Sequence, residues 1–398
     1  MTGRERILNA LDHKETDKIP IDLGGTSVSG IHSIAYKNLV RYLGLNNIKV
    51  KLFDPMMQLA VVDDEIVNFY EIDTKKLLRP IAKFSTYVYE GWKDGKLINN
   101  EEALVPLNYN PIEDSKGFYI SHNEKILARR GKSSYYFDSV YFPLKDISDI
   151  EELKKFKLNN YDDEELSFIK ENSRTLRKNS KSAIIFSING SFREEPSDLR
   201  GFENFLMDLV LNRKFSEMLL DKILENDIER FDSFMEAADG NCDIVKISDD
   251  YGSNLGLLIS PDIYRSIIKP RQKKFFNYIK SKSNYKIFLH SCGSVADILS
   301  DLIEIGVDAI NPVQISANGM DIIKLKKDYG KDITFWGGTI NPADMIKMDN
   351  NEIIDDVKRR IEVLYKDGGF VYSYNHNIQP DIVPEKIDLF FKIPRLYY

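Results

Sequence analysis

From about residue 150 to the end of the chain, short apolar runs alternate with longer amphipathic stretches. SAIIFSING (182–190), CDIVKISDD (242–250), YKIFLHSCG (285–293), DAINPV (308–313), DITFWGGT (332–339) and GGFVYSYNHN (368–377) each read as a strand. Between them fall helical patterns at about 201–214, 215–238, after Pro261, 295–306, 319–329 and 350–367. A final helix begins near 384. Apolar strands separated by amphipathic helices describe a parallel sheet covered on its outer side.

The N-terminal third follows another pattern. A short helix over 3–12 precedes KIPIDLGG (18–25), a strand entering a glycine turn, and 31–44 is an amphipathic helix closed by Gly44. From about 50 to 150, alternating segments such as FSTYVYEGW (84–92), GFYISHN (117–123) and SYYFDSVYF (134–142) predict a hairpin-rich insertion. With the strand near residue 20, seven strands are countable, and an eighth falls to a poorly patterned region. The expectation is one domain over 1–398, a (β/α)8 TIM barrel with an insertion at about 50–150. An open doubly wound sheet is disfavoured, since no GxGxxG follows the first strand.

Such a barrel gathers the polar residues at its strand ends into one mouth. Here those are Asp22, Asn189, Asp249, Asp250, His290, Cys292, Asn311, Gln314, Gly337, Gly338, His376 and Asn377. The formal net charge of -7 argues against nonspecific nucleic-acid binding. No run approaches the length of a membrane-spanning helix. The charged N-terminus is unlike a secretory signal, and two cysteines make no disulfide framework, so the cytoplasm is the expected compartment. The oligomeric state is open, a homodimer included.

The candidate chemistry centres on HSCG (290–293). His290 and Cys292 point the same way if the strand stays regular, and a thiolate beside an imidazole suits Zn(II), which takes three or four N/S/O ligands. The candidate third ligand is His376, at the end of another strand. The alternative is a core histidine held by a carbonyl beside a small buried cysteine. Cys242, at the start of a strand, reads as core filler, and His13, His32 and His122 as surface or structural residues.

Asp249 and Asp250 are adjacent on an extended strand, so one of them reaches the cavity as a general acid, base or acceptor. The competing role is a loop aspartate that caps a helix. Asp22, before Gly24-Gly25, is a similar but weaker case. Asn375, Asn377 and Gln379 offer amides to orient a substrate, and Gly337-Gly338 lets a ligand approach the backbone closely. Arg193, Arg200, Tyr136, Phe137 and Phe192 lie in loops placed to cover the pocket.

The order HSCG, IEIGVDAINPVQ (303–314), FWGGTINP (335–342) and GGFVYSYNHNIQPDIVPE (368–385) resembles the uroporphyrinogen decarboxylase superfamily. It is most similar to the branch related to corrinoid methyltransferases. ISDDYGSNLGLLISPDIYRSIIKPRQKKF (247–275) and RGFENFLMDL (200–209) resemble that branch too. The resemblance implies a (β/α)8 barrel with its site at the carboxyl mouth. It also implies a zinc-dependent methyl transfer between a corrinoid protein and a small molecule or thiol. Those methyltransferases hold zinc through a His-x-Cys pair, matched by His290 and Cys292, and a distal cysteine, whose position is taken here by His376. The chain has no DxHxxG motif, so methylcobalamin or another corrinoid would come from a partner protein. The resemblance also leaves open a metal-free decarboxylase or other lyase, or a barrel that binds without catalysis. True decarboxylases carry an arginine-rich motif after the first strand, where this chain has DLGGTSVSG (22–30).

Overall fold

The computed structural model describes residues 1–82 and 86–398. Seven parallel strands form one sheet in sequence order: β1 (Thr74–Leu77), β2 (Ala183–Ser187), β3 (Ile244–Ser248), β4 (Lys286–His290), β5 (Ala309–Asn311), β6 (Thr334–Trp336) and β7 (Phe370–Val371). The eighth staple is the segment around Ile21. The Asp22 amide donates to the Tyr372 carbonyl at 2.8 Å, and the Tyr372 amide to the Pro20 carbonyl at 2.8 Å. On the other side, the Asp73 amide donates to the Ile21 carbonyl at 2.8 Å. These bonds join β7 to β1 and curl the sheet into a TIM barrel.

The expected rhythm from residue 150 onward is present, with shorter elements near the mouth. β7 covers only Phe370–Val371 of the 368–377 run, and beyond it the chain is irregular where its polar side chains converge. β1 lies inside the region expected to be an insertion, so that region is divided. One small hairpin (Leu52–Asp54 with Leu59–Ala60) and a helix (Asp64–Phe69) precede β1, and the remaining antiparallel strands follow it. Those include Trp92–Lys96 paired with Glu102–Pro106, and a four-stranded sheet built on Gly117–His122 and Lys125–Arg130. Of the strand expected over 134–142, only Asp138–Ser139 pairs, and the residues before it form a loop. In the strand expected over 84–92, residues 84 and 85 lie outside the described residues, and Thr86–Tyr87 pairs with Ile81–Ala82.

Alternation along each strand sorts the side chains. Ala183, Ile185, Ile244, Phe288, Ala309, Trp336 and Val371 fill the barrel's lower interior, while their neighbours pack outward against the helices. Helix α1 (Gly3–Leu11) closes the floor: Ile7, Ala10 and Leu11 join the interior cluster. Its start is fixed by a capping box between Thr2 and Glu5, an arrangement that stabilises a helix end by about 1 kcal/mol. Phe288 meets Trp336 edge to face at 4.9 Å, a geometry worth about 0.5–1.5 kcal/mol beyond its burial.

Asp22 belongs to this framework. Its fully buried carboxylate accepts from the Gly25 amide at 2.9 Å, the Thr74 hydroxyl at 2.5 Å and the Trp336 indole at 2.8 Å. It ties the Ile21 segment to β1 and β6. Cys242 is also framework: its thiol is buried against the carbonyls of Ile184 and Ile244.

Candidate metal site at the barrel mouth

His290 is the last residue of β4 and points inward, two residues beyond Phe288. The chain then turns sharply at Gly293, whose φ of +80° is open to glycine at no steric cost. The turn is pressed against the loop after β3. A Cβ on Gly293 would sit 2.4 Å from the Gly252 carbonyl carbon, and one on Gly252 would sit 2.6 Å from the Ser294 amide. Hydrogen bonds fasten the contact, from the Ser294 amide to the Ser253 carbonyl at 2.8 Å and from the Gly293 amide to Gln314 Oε1 at 2.8 Å. The glycines of HSCG and SDDYG are therefore what allow the two loops to meet.

Three ligand-type side chains converge there. A ring nitrogen of His290, Sγ of Cys292 and a ring nitrogen of His376 all lie within 4.8 Å of one another, with Cys292 Sγ 3.3 Å from His290 Nε2. The imidazole rings of His290 and His376 are 5.6 Å apart, centre to centre. No other cluster of three such residues occurs among the described residues. His290 is buried, and the other two are half-buried.

Neighbouring amides set the imidazoles. His290 Nδ1 lies 2.7 Å from Asn311 Oδ1, and Asn311 Nδ2 donates to the Trp336 carbonyl at 2.9 Å. That second bond fixes the amide orientation, so Asn311 accepts and Nδ1 of His290 carries the proton. Nε2 is left with its lone pair toward Cys292. His376 is arranged alike, with Nδ1 2.5 Å from Asn377 Oδ1. Metal-binding histidines commonly hold their second nitrogen this way.

Burial pushes the His290 pKa down to about 3 against the opposing pull of Asp250, and lowers that of His376. Both imidazoles are therefore neutral at pH 7, as ligation needs. Burial, with Asp250 and Glu194 nearby, raises the Cys292 thiol well above its usual range. A thiol in such surroundings gives up its proton only to a strong cation. The donor set fits zinc: in a tetrahedral site, ligand atoms about 2.0–2.3 Å from the ion stand roughly 3.3–3.8 Å apart. The Sγ–Nε2 separation already matches, and the 4.8 Å limit leaves about 1 Å to close.

The two aspartates part as alternation requires. Asp250 faces the site: Oδ1 accepts from the Cys292 amide at 2.7 Å and lies 3.7 Å from His290 Nε2. Burial alone would raise its pKa, but His290, the Cys292 amide and Arg193 outweigh burial and hold it below the usual value. Asp249 faces the other way and is fully buried. It accepts from the Ser191 hydroxyl at 2.8 Å and the amides of Phe192, Arg193 and Glu194 at 2.8–3.0 Å, and from the Tyr251 hydroxyl. It holds the turn that opens helix Glu194–Arg200.

Around the triad, Asn377 Oδ1 also accepts from the Tyr136 hydroxyl at 3.1 Å and Gln379 Nε2 at 3.1 Å. Gly337 and Gly338 have φ of +97° and +78°. The Gly338 amide donates to Asn375 Oδ1 at 2.5 Å, and a Cβ there would meet Val313 at 3.0 Å. That close approach is thus made by the protein's own side chains. Arg200 binds Asp208 and the Leu144 carbonyl, and Phe192 and Phe137 are buried, so none of the three covers the mouth. Arg193 lies against Glu194 at the mouth. His32 is buried and caps helix Ser33–Tyr42, accepting from the Ile34 amide at 3.2 Å.

Sequence reasoning passed over two interior lysines. Lys246 follows inward-facing Ile244 by two and binds the Ser248 hydroxyl; burial lowers its pKa to about 8, opposed by Glu194 and Asp250. Lys76 of β1 sits 4.2 Å over the Phe53 ring, and burial lowers its pKa to about 7, opposed by Asp54. Period-2 alternation within IVKIS would have found Lys246. Lys76 lies in a strand that had no apolar pattern to announce it.

Comparison with known proteins agrees with this fold. Residues 139–397 match the family model described as uroporphyrinogen decarboxylase (URO-D). The methylcobamide:CoM methyltransferase MtaA of Methanosarcina barkeri is 26% identical over 202 residues, 51% of this chain and 55% of that protein. The chain thus matches only about half the length of this relative. A solved methyltransferase from Methanosarcina mazei superposes with a TM-score of 0.59 at 18% identity, over 100% of this chain and 99% of the other, which shows the shared fold.

Proposed function

The chain belongs to the uroporphyrinogen decarboxylase family, and from that premise we propose that it is a zinc-dependent methyltransferase. It moves a methyl group between a small substrate or thiol and a corrinoid carried by a partner protein. The observation that carries this reading is the convergence of His290, Cys292 and His376 within 4.8 Å. The partial match to a methylcobamide:CoM methyltransferase supports it.

A zinc ion held by those three residues would supply a Lewis acid, able to lower the pKa of a substrate thiol or to activate a leaving group. The chain does the rest. His290 and His376 stay neutral and aimed through their amide partners, so both Nε2 lone pairs are available. Asp250 stays ionised beside His290 and balances a cation at the site. The buried positions of His290 and Asn311 keep bulk water from the floor of the mouth.

Metal analysis of purified protein tests the reading. The expected result is one zinc per chain, lost in Cys292→Ala, with methylcobalamin demethylated in the presence of small thiols. A metal-free protein that binds porphyrinogens would instead support a carboxy-lyase. A metal-free protein that binds neither would leave a non-catalytic barrel.

A further inference from the structure

We infer that Tyr136, carried in by the hairpin region, is a positioning residue for the third metal ligand and holds His376 in its ligating tautomer through Asn377. The inference rests on the zinc reading above and extends it to a residue of the hairpin region. Tyr136 lies in the loop between strands Lys125–Arg130 and Asp138–Ser139. The loop needs no help from the Tyr136 hydroxyl. Phe137 is buried in the hairpin core, the Phe137 amide donates to the Met56 carbonyl at 2.9 Å, and Arg130 donates to the Ser134 carbonyl at 2.7 Å. The hydroxyl is instead spent at the barrel mouth, between Asn377 Oδ1 and Gln379 Nε2.

Asn377 Oδ1 is a hub with three donors around it: Tyr136, Gln379 and His376. Its Nδ2 has only weak partners, the Ser27 carbonyl at 3.4 Å and Met57 Sδ at 3.2 Å. The orientation of this amide is therefore decided on its oxygen side. While oxygen faces His376, Nδ1 holds the proton and Nε2 is free for metal. If the amide turns over, its NH2 faces Nδ1, the proton moves to Nε2, and the ligating lone pair is lost. Removing the Tyr136 hydroxyl takes away one of the two donors, other than His376 itself, that oppose this flip. Asn311 needs no such strap, because its Nδ2 is already anchored on the Trp336 carbonyl.

The test is zinc affinity, measured by competition with a chromophoric chelator, together with the absorption spectrum of the cobalt-substituted protein. Tyr136→Phe is expected to weaken zinc about tenfold and alter the cobalt bands, the usual scale for outer partners of metal-binding histidines. The melting temperature of the metal-free protein should not move. Asn377→Asp in the Tyr136→Phe background should recover most of the affinity, since a carboxylate has no donor face to offer His376. Unchanged affinity and spectrum in Tyr136→Phe, or no recovery in the double variant, overturns the inference while leaving the zinc reading intact. Wild-type protein that takes up no zinc overturns both.

Discussion

Asp249 and Asp250 are neighbours with opposite duties, and substituting each with Asn separates them. Asp249 satisfies five donors, three through Oδ1 and two through Oδ2. In Asp249→Asn one oxygen becomes NH2. The less costly orientation places it at Oδ2, where Tyr251 can turn its hydroxyl to accept but the Phe192 amide is left facing another donor. An orphaned buried donor costs about 1–3 kcal/mol. The three bonds at Oδ1 also lose their charge assistance, which roughly halves such bonds. Together these amount to about 3 kcal/mol. At ~2.1 cal/mol/K per residue over 398 residues, the unfolding entropy is about 0.8 kcal/mol/K, so the melting temperature should fall by roughly 3–4 °C. Asp249→Ala orphans all five donors and should cost about 5 kcal/mol, roughly 6 °C. Asp250→Asn, losing little beyond the charge on one backbone bond and a neighbouring imidazole, should leave the melting temperature nearly unchanged and depress methyl transfer. Differential scanning fluorimetry and a methylcobalamin demethylation assay on the same preparations read both quantities. If Asp249→Asn melts like wild type yet abolishes turnover, Asp249 is a reacting group and the structural assignment falls.

The buried His32 should make the metal-free protein acid-sensitive. Burial lowers its folded pKa to about 4 from an unfolded value near 6.5, so its stabilising contribution is complete above pH 6.5 and falls by about 1.4 kcal/mol per unit down to pH 4. His290 and His376, also held neutral by burial, add their own loss in the metal-free protein. His32→Asn, which keeps the capping acceptor, should therefore lessen the loss seen by urea unfolding from pH 7 to 4 by about 3 kcal/mol without abolishing it; an unchanged pH slope in the variant would refute the assignment. Gly293→Ala forces a side chain into left-handed backbone and against Gly252, so it should cost at least 1–2 kcal/mol and most of the metal binding, read by thermal melting and zinc content. Asp22→Asn breaks the charge-assisted tie to Thr74 and Trp336 and should destabilise the barrel by about 2–3 kcal/mol without weakening zinc binding in the protein that remains folded, as chelator competition would report.

How much of this was legible in the sequence depended on whether the signal was local. Strands β2 to β7 show as apolar runs because both faces are buried. β1 does not show: TKKL carries Lys76 on its inward face, and its pairing with Ala183–Phe186 is not visible from neighbouring residues. The division of labour between Asp249 and Asp250 follows from strand alternation alone, but the destination of Asp249 does not. Its partners at Ser191–Glu194 follow a different strand. His290 and Cys292 are two apart and announce themselves, whereas the Asn311 and Tyr136 contacts that aim the ligands come from sequence separations no local pattern encodes.

The closure at Ile21 has a consequence for how the chain comes into being. Its two hydrogen-bonding neighbours are Asp73 and Tyr372, so this strand position, once made, waits for a partner far down the chain. At 5–20 residues per second that delay is roughly tens of seconds. Through it, the buried carboxylate of Asp22 lacks its Trp336 partner, and α1 lacks the completed floor it plugs. A nascent chain of this protein is an open trough whose lower interior is exposed until Tyr372 has been made. A circular permutant that begins just before the β6–β7 segment and joins the old termini would make the closing pair early, and it should be less dependent on chaperones while folding to the same barrel.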